Sequence, residues 1–445
     1  MASTYLSRTP NNNYYLKATF SFWFKRNSLG EMGLFGRKGS NSTANLSTCH
    51  FGSTDDLLIN FRDSGGNSKY YQITNRKFKD TNAWYHFHYI VDGDNSTQGD
   101  RSRLYINGVR ETSFALNNNP SSNSYEIATF LSSDGAFTVG RALRSQTNTF
   151  GNFDGLISNF NCSTGYVYEP TVFGEVDTTT GQWKIINNPT FTPGTDGFTI
   201  LKDGNTITDQ SANSNNFSLT AGTLTDTKDC PDNVFATMNV LDKNTNVVLT
   251  NGSNSLSTTN NGNWVNASRA TLGIGSRKVY WEMKITGSGN SNGYFFGICA
   301  DTVSLNTTSG LQDTSAERAK GMLLFCDDGQ YQLDNNSRQS MTTGAALNDV
   351  LACAVDRSSN NVKFYKNGAQ VGSIDISSSP LATVSDIMPL TIGYYTALQL
   401  NHNFGNGVFG TSTISSSGTS ASTPGTFEHD VPSGYQPLST KGLNA

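Results

Sequence analysis

The sequence has 445 residues, of which 35% are hydrophobic and 15% charged, and its formal net charge is −4 at pH 7. A chain of this length is expected to form about two to four domains, each large enough to bury its own core. The weak negative charge excludes the strongly basic surface of a nucleic-acid-binding protein. No run of about 18 apolar residues is present, so the sequence predicts no membrane insertion.

The N-terminal stretch MASTYLSRTPNNNYY lacks the apolar segment of a secretory signal. If the protein acts outside a cell, we expect it to leave by another route, such as assembly into a particle that lysis releases.

The composition favours strands over helices. Glycine (43 residues), Phe (26) and Tyr (18) are abundant, and the aromatic residues alternate with Thr, Val and Ile between polar turns. This alternation is typical of strands that are buried on one face. Only the segment from Ser315 to Leu323 has a pattern that could form two helical turns. The sequence therefore predicts an all-β fold.

The first predicted sandwich covers residues 1–162. Its clearest strand is Lys17 to Arg26, in which Phe20, Phe22 and Phe24 share one face. Further short strands with Gly-rich exits follow as far as the segment FDGLISNF. Many short strands without a helix are typical of two packed antiparallel sheets.

Residues 163–237 differ in composition, because the first part carries several prolines and the second is rich in turn residues. Phe191, Phe198, Ile200 and Phe217 give this stretch more apolar side chains than a free linker needs. We expect a small bridging segment that packs on both sandwiches.

The second predicted sandwich covers residues 238–445. The strand KVYWEMKIT, from Lys278 to Thr286, again alternates apolar and polar residues. The low-complexity stretch from Gly410 to Gly425 is predicted to be a loop. The strand pattern thus predicts two antiparallel β-sandwiches joined by the bridging segment.

The same pattern of three strands occurs once in each sandwich. Tyr85 to Ser113 reads YHFHYIVDGDNSTQGDRSRLYINGVRETS, and Leu351 to Ile376 reads LACAVDRSSNNVKFYKNGAQVGSIDI. Each copy ends its second strand with Tyr-x-Asn-Gly, and Asn-Gly between alternating strands predicts a type I′ hairpin. We call these stretches the first and second cassettes. Their match in order indicates two similar domains.

The six cysteines include no Cys-x-x-Cys pair and no short metal-like spacing. Cys299, Cys326 and Cys353 lie in apolar strand-like runs, where a reduced cysteine behaves as a small hydrophobic residue. We predict reduced thiols rather than disulfides.

Several segments resemble known families. The first domain is similar to the laminin-G-like, concanavalin-type lectin fold in FSFWFKR, WYHFHYIVDG, RLYINGVR and FDGLISNF. The second is similar to a SPRY domain in RKVYWEMKI, GYFFGICAD, DVLACAVDRSSNNVKFYKNG and LTIGYY. The two resemblances together imply an all-β fold of two antiparallel, concanavalin-like jelly-roll sandwiches joined by the small bridging segment.

The order of these parts also resembles structural proteins of tailed bacteriophages, particularly marine ones. Between the two domains lies DGF followed by D-x-S-x-N-x-N-N-F, and FEHDVPSGYQPL lies near the end. The resemblance implies a virion component, such as a fibre, a spike or a head decoration. It also implies a homo-oligomer, with a trimer as the expectation for such proteins, and contacts with other virion proteins.

Two short stretches are candidate metal sites. Asp92, Asp94 and Asn95 form an acidic loop, and the laminin-G resemblance implies that one calcium ion can bind to such a loop. The alternative is a turn whose side chains cap their own backbone. His86 and His88 face the same side of one strand and could share a metal, or they could simply pack and form hydrogen bonds. Otherwise we expect no cofactor.

The sequence contains no motif for a serine nucleophile, a metalloprotease or a phosphate-binding loop, and no E-x-D-x-x-E strand of the glucanase type. The function class that remains is recognition of a ligand at the protein surface. Amide, hydroxyl and aromatic side chains suit sugars. Tyr70, Tyr71, Trp264 and Tyr331 are candidate ligand-binding residues in exposed loops, although each could equally fill its own core.

We therefore expect a non-enzymatic virion protein that attaches to host surface glycans. Two alternatives stay open: a purely structural virion protein that binds other capsid or tail proteins, and a polysaccharide-degrading enzyme.

Overall fold

The computed structural model describes most of the chain, which divides into two compact units, Met1–Asp226 and Thr227–Ala445. The described residues are 4–11, 13–37, 46–63, 65–123, 125–130, 135–144, 148–259, 266–287, 293–305, 318, 320–393, 398–415, 417–418 and 425–441.

A ten-stranded sheet forms one layer of the first unit, in the order β10-β6-β5-β4-β3-β11-β1-β18, with β12 and β13 attached beside β3. The pairing along this order is antiparallel. The strands are β1 (Tyr5–Arg8), β3 (Met32–Arg37), β4 (Ser47–Phe51), β5 (Asp56–Arg62), β6 (Ser68–Lys77), β10 (Phe114–Asn118), β11 (Phe137–Val139), β12 (Arg141–Leu143), β13 (Thr149–Asn152) and β18 (Ser218–Ala221).

A six-stranded antiparallel sheet forms the other layer, in the order β17-β14-β2-β7-β8-β9. The strands are β2 (Lys17–Arg26), β7 (Tyr85–Asp92), β8 (Ser102–Ile106), β9 (Val109–Arg110), β14 (Gly155–Thr164) and β17 (Phe198–Ile200). A separate hairpin joins β15 (Gly174–Val176) to β16 (Trp183–Ile185). The stretch 163–226 thus lies in the first unit and supplies β15, β16, β17 and β18.

The core between the two sheets is built largely from phenylalanines. The alternation predicted for β2 is confirmed, because Phe20, Phe22 and Phe24 are fully buried on one face. Phe22 stacks on Phe160 of β14 with ring centroids 4.5 Å apart. Burying one such ring contributes about 1.5–3 kcal/mol, so this row holds the sheets together.

The opposite face of β2 and β7 is buried as well, because residues 166–192 cover it. Thr19 in β2 donates to the carbonyl of Tyr166 at 3.2 Å and accepts from the amide of Tyr168 at 3.1 Å. The indole of Trp183 lies over β7 and donates to His86 at 2.9 Å. We call residues 166–192 the first cover.

The motifs DGF and D-x-S-x-N-x-N-N-F form a hydrogen-bonded clasp at the end of the first cover. Asp196 is fully buried, and it accepts from the guanidinium of Arg8 at 3.3 Å and the hydroxyl of Tyr15 at 2.8 Å. Asp209 accepts from the amides of Thr199 at 2.9 Å and Asn215 at 2.8 Å. These motifs therefore serve the fold of the first unit.

The second unit has a seven-stranded sheet and an eight-stranded sheet. The first has the order β19-β22-β31-β24-β25-β26-β27. Its strands are β19 (Met238–Lys243), β22 (Ala267–Ala270), β24 (Tyr294–Ala300), β25 (Gly321–Phe325), β26 (Gln330–Leu333), β27 (Gln339–Ser340) and β31 (Ile387–Gly393).

The eight-stranded sheet has the order β20-β21-β32-β23-β28-β29-β30, with β35 parallel to β23. Its strands are β20 (Val247–Thr250), β21 (Ser255–Thr258), β23 (Lys278–Gly287), β28 (Val350–Asp356), β29 (Asn361–Lys366), β30 (Ala369–Asp375), β32 (Leu398–Asn403) and β35 (Gln436–Pro437). A small hairpin pairs β33 (Val408–Phe409) with β34 (Ser412–Thr413).

A C-terminal stretch covers the outer face of this sheet. Phe427, Val431 and Tyr435 form a small apolar cluster with Tyr280 of β23 and Tyr365 of β29. The rings of Phe427 and Tyr280 meet edge to face with centroids 5.0 Å apart. We call the described residues 425–435 the second cover.

The two cassettes occupy the same place in their sheets: β7, β8 and β9 follow β2, and β28, β29 and β30 follow β23. The predicted Asn-Gly hairpins are confirmed. Asn107 and Asn367 both have a φ of 50°, and the glycines that follow have positive φ as well. Each asparagine side chain also accepts a hydrogen bond from a backbone amide: Asn107 from His86 at 2.7 Å, and Asn367 from Val350 at 2.8 Å.

The all-β prediction is confirmed. The described 3-10 turns span three residues each, Gln98–Asp100, Pro170–Val172 and Pro380–Ala382. The helix predicted over Ser315–Leu323 is wrong for its last residues, because Gly321, Met322 and Leu323 belong to β25. Residues 315–317 and 319 of this segment lie outside the described residues. In the part of the chain that the structure describes, no helix is long and apolar enough to cross a membrane. The cysteines are free, and five of them are buried.

Candidate ligand-binding cleft

A cleft of about 220 Å³ opens at one edge of the first unit. There the last strands of the two sheets, β10 and β9, lie next to each other because the chain passes from one sheet to the other through Glu111–Ser113. The cleft is lined by Gln72, Gly99, Ser102, Arg103, Leu104, Arg110, Glu111, Thr112, Phe114 and Asn117.

Gln72 gives the cleft an unmet hydrogen-bond acceptor. Its side chain lies on the inward face of β6, is 2% exposed, and donates through Nε2 to Asn117 Oδ1 at 2.7 Å. Its Oε1 is buried without a hydrogen-bond partner. A buried carbonyl oxygen without a donor costs about 1–3 kcal/mol, so a hydroxyl that enters the floor of the cleft gains a ready partner.

The walls of the cleft combine an aromatic ring with hydroxyl groups. Phe114 is half-buried and packs against the edge of the core. Thr112 is exposed beside it, and Ser102 donates to the amide oxygen of Asn119. An apolar surface beside convergent polar groups is the usual composition of a small-molecule site.

The charged side chains of the cleft are all held in ion pairs. Arg110 Nη2 lies 2.6 Å from Asp100 Oδ1, and Arg76 Nε lies 2.6 Å from Glu111 Oε2. Arg103 Nη1 lies 2.8 Å from Glu169 Oε1. The lining therefore presents little net charge to a ligand.

The sequence-predicted ligand residues do not come together. Tyr70 lies in β6, where its ring is fully buried and its hydroxyl donates to the carbonyl of Tyr125 at 2.7 Å. For this residue the core alternative holds, because its position alternates inward. Tyr71 is half-buried on the opposite face of β6, opposite Asn60 of β5 and Asn118 of β10.

The other two predicted residues belong to the second half of the chain. Tyr331 lies in β26, half-buried against the second core, and its hydroxyl lies 3.4 Å from Gln339 Oε1. Trp264 lies outside the described residues.

The acidic loop Asp92–Asn95 is already occupied by protein cations and amides. The ammonium of Lys17 lies 3.1 Å from Asp94 Oδ1, and this ion pair lowers the pKa of Asp94. Asn95 donates its side-chain amide to Asp92 at 2.9 Å and accepts the amide of Thr97 at 2.9 Å. Calcium needs six to eight oxygens, so this arrangement fits a self-capped turn better than a calcium site.

His86 and His88 lie side by side under the first cover. His86 Nδ1 accepts from Trp183 and Nε2 pairs with Ser21 Oγ at 2.8 Å, while His88 Nε2 lies 2.9 Å from the carbonyl of Tyr168. Burial lowers the pKa of His88 to about 3 and that of His86 well below its usual value. Among the described residues, no group of three or more His, Cys, Asp or Glu is placed to hold a metal.

The fold defines a protein built from two antiparallel β-sandwiches. The concanavalin A-like lectin/glucanase superfamily model, of the laminin G type, matches residues 3–166, and the SPRY domain model matches residues 278–378. The chain therefore contains a concanavalin-like domain followed by a SPRY domain. These domains indicate a binding or structural role.

Several solved structures are similar to parts of this chain. The SPRY domain of human HERC1 is 15% identical over 37% of this chain and 96% of that chain, with a TM-score of 0.30. A second human SPRY domain is 18% identical over 35% and 94%, with a TM-score of 0.29. A heptameric SAP-like pentraxin from Limulus polyphemus is 14% identical over 37% and 71%, with a TM-score of 0.28. No curated protein matches the chain.

The sequence pattern did not predict any of the residues that line the cleft. Gln72 and Phe114 belong to ordinary alternating strands, and nothing in their local pattern marks the edge of a sheet. The available signal was the short link after the first Asn-Gly hairpin. The strand β9 after this hairpin has only two residues, and the chain then crosses directly to β10 in the other sheet. Such a short connection leaves the neighbouring edges of the two sheets unpaired.

Proposed function

We propose that the protein is a non-enzymatic component of a bacteriophage virion and that it attaches to glycans of the host surface through the cleft of its first unit. The observation that carries the attachment role is the buried, unpartnered Oε1 of Gln72 beside the half-buried ring of Phe114. Sugars offer hydroxyl donors on their edges and C–H surfaces on their faces, which match these two groups.

The virion role rests on the resemblance of the domain order to tailed-phage structural proteins. A laminin-G-like domain, the two clasp motifs, a SPRY domain and FEHDVPSGYQPL follow one another as in those proteins. The same resemblance suggests a homo-oligomer, trimeric by expectation, that contacts other virion proteins. Repetition of weak sites in such an assembly raises avidity by factors of about 10²–10⁴ without any new contact.

The lining of the cleft supports binding without catalysis. A glycoside hydrolase places two carboxylates across the scissile bond. Among the described residues that line the cleft, Glu111 is the carboxylate, and Arg76 holds it at 2.6 Å.

The test is retention of the purified full chain on a panel of immobilised bacterial polysaccharides, with released reducing ends measured in the same wells. We expect retention without new reducing ends, and no effect of EDTA because Lys17 already neutralises the acidic loop. Cleavage would establish the enzyme alternative.

A matched pair of variants assigns retention to the cleft. Phe114→Ala removes the aromatic wall and is expected to lower retention at least about tenfold. Lys77→Ala changes an exposed residue of the same region outside the cleft lining and is expected to leave retention unchanged. Equal loss in both variants, or none in either, would contradict the assignment.

The second candidate function is a purely structural virion protein. The observation in its favour is that both covers close sheet faces of their own unit, as a stable coat protein requires. Failure of the wild-type chain to bind any polysaccharide, together with its incorporation into particles, would favour this candidate.

A further inference from the structure

We infer that the cleft binds a single uncharged saccharide unit rather than an acidic sugar. This inference rests on the proposed function and names the class of ligand for the same site.

The charge of the cleft is the first step. Arg110 is exposed at the rim and could attract a carboxylate, but Asp100 Oδ1 lies 2.6 Å from its Nη2, and the same nitrogen donates to the carbonyl of Gly99 at 3.0 Å. Glu111 is buried, and its two oxygens accept from Arg76 at 2.6 Å and from the amide of Ser113 at 3.1 Å. Neither sign of charge is left over for a ligand.

The uncharged groups are the second step. The floor offers the carbonyl oxygen of Gln72, and the rim offers the amide of Asn117 and the hydroxyl of Thr112. A carbonyl oxygen accepts from a hydroxyl but repels a carboxylate, because both are hydrogen-bond acceptors. The floor therefore selects for a hydroxyl donor.

The size of the cleft is the third step. Its volume of about 220 Å³ lies below the range of about 300–1,000 Å³ that is usual for drug-sized ligands. One sugar ring or a single branch of a glycan suits this space better than several consecutive units do.

The experiment measures retention on neutral probes (mannan, dextran, galactan) and acidic probes (alginate, polygalacturonate, hyaluronate) at two salt concentrations. We expect retention on at least one neutral probe that changes less than about twofold between about 50 and 500 mM NaCl, since salt screens only charged contacts. Retention on acidic probes alone, or a loss of about tenfold with salt, would overturn this inference while leaving glycan attachment standing. No retention on any probe would overturn the proposed function itself.

Two variants test the neutrality directly. Asp100→Asn removes the carboxylate that balances Arg110, and we expect it to gain salt-sensitive retention on acidic probes. Gln72→Leu keeps the size of the side chain, removes the acceptor, and is expected to weaken neutral retention about tenfold. Thermal unfolding at wild-type temperature verifies that each variant is folded. Unchanged retention by both folded variants would contradict the inference.

Discussion

The two units hold their covers with buried carboxylates that have different partners. Asp196 in the first unit accepts from a guanidinium, that of Arg8, and from neutral donors. Glu282 in the second unit is also fully buried, but the groups that donate hydrogen bonds to it are all neutral. They are the amides of Glu428 and His429, each at 2.9 Å, with Tyr280 and Asn403.

The difference appears in the protonation of the second carboxylate. Burial raises the pKa of Glu282 to about 7, and the hydrogen bonds from the amides of Glu428 and His429 and from the hydroxyl of Tyr280 offset only part of this effect. With desolvation as the dominant effect and no cation among its partners, the Glu282 carboxyl exchanges its proton near neutral pH. The cover of the second unit is thus held by a group that titrates in the physiological range.

The largest expected effect is the loss of stability of the first unit in acid. His50, His86 and His88 are buried with lowered pKa values, about 3 for His50 and His88. They stay neutral when folded, while the unfolded chain takes up protons below about pH 6.5. The free energy of unfolding of the first unit is therefore expected to decrease as the pH falls, by about 2 kcal/mol per histidine between pH 7 and 5.

Hydrogen exchange resolved by peptide at pH 7 and pH 5, corrected for the intrinsic exchange rate, measures this in each unit separately. His88→Gln keeps a donor for the carbonyl of Tyr168 and is expected to reduce the acid sensitivity of the first unit by about a third. A first unit that is as stable at pH 5 as at pH 7 would contradict the prediction.

Removal of the paired carboxylate is expected to have the next largest effect. Asp196→Ala leaves the guanidinium of Arg8 buried without its counter-ion, which typically costs about 3–5 kcal/mol. Denaturant unfolding followed by tryptophan fluorescence measures the loss. Asp203→Ala, at an exposed carboxylate in the same unit, is the control and is expected to cost less than about 1 kcal/mol.

Glu282→Gln tests the other side of the comparison. Since the folded pKa of Glu282 lies above its ordinary value of 4.5, the folded state binds more protons than the unfolded state between these two values. The contribution of Glu282 to the free energy of unfolding is therefore largest at low pH, and it decreases by about 2–3 kcal/mol as the pH rises from 5 to 8.

The opposing titration of His402, whose pKa is lowered to about 4, is the same in both proteins and cancels in the difference. The stability difference between wild type and Glu282→Gln is therefore expected to change by that amount across the pH range. A difference that stays constant from pH 5 to 8 would show that Glu282 does not titrate there.

The smallest expected effect concerns the feature that the two units share. Asn107→Ala and Asn367→Ala each put alanine at a φ of 50° and remove one side-chain acceptor. We expect each to cost about 1–2 kcal/mol, with glycine at either position costing less. A cost in one hairpin at least twice that in the other would contradict their equivalence.

The sequence was sufficient for the repeated hairpins and the inward phenylalanines, because both depend on local patterns. Asn-Gly sets the turn, and a period of two sets the face of Phe20, Phe22 and Phe24. The burial of Thr19, Ser21 and Trp23 on the other face was not predictable in this way. It depends on the first cover, which is more than 140 residues distant in the chain from Thr19.

The candidate site was less predictable for a related reason. A tyrosine between polar residues has the same local sequence pattern in an exposed loop as in a strand. Tyr70 is buried because it lies on the inward face of β6. The cleft depends on which strands end the two sheets, and that order is a property of the whole unit. Gln72 could not be predicted as a site residue, because the lack of a hydrogen-bond partner for its Oε1 depends on the three-dimensional structure.

The geometry of the two Asn-Gly hairpins also bears on the chemical ageing of the protein. Deamidation at Asn-Gly begins when the glycine amide nitrogen attacks the side-chain carbonyl carbon of the asparagine. In both hairpins that carbonyl is held by a backbone amide of the preceding strand, at 2.7 Å for Asn107 and 2.8 Å for Asn367. Asn-Gly occurs six times in the sequence, and in these two hairpins the side chain that must be attacked is held in place. These two turns are therefore expected to stay intact during long storage of the protein.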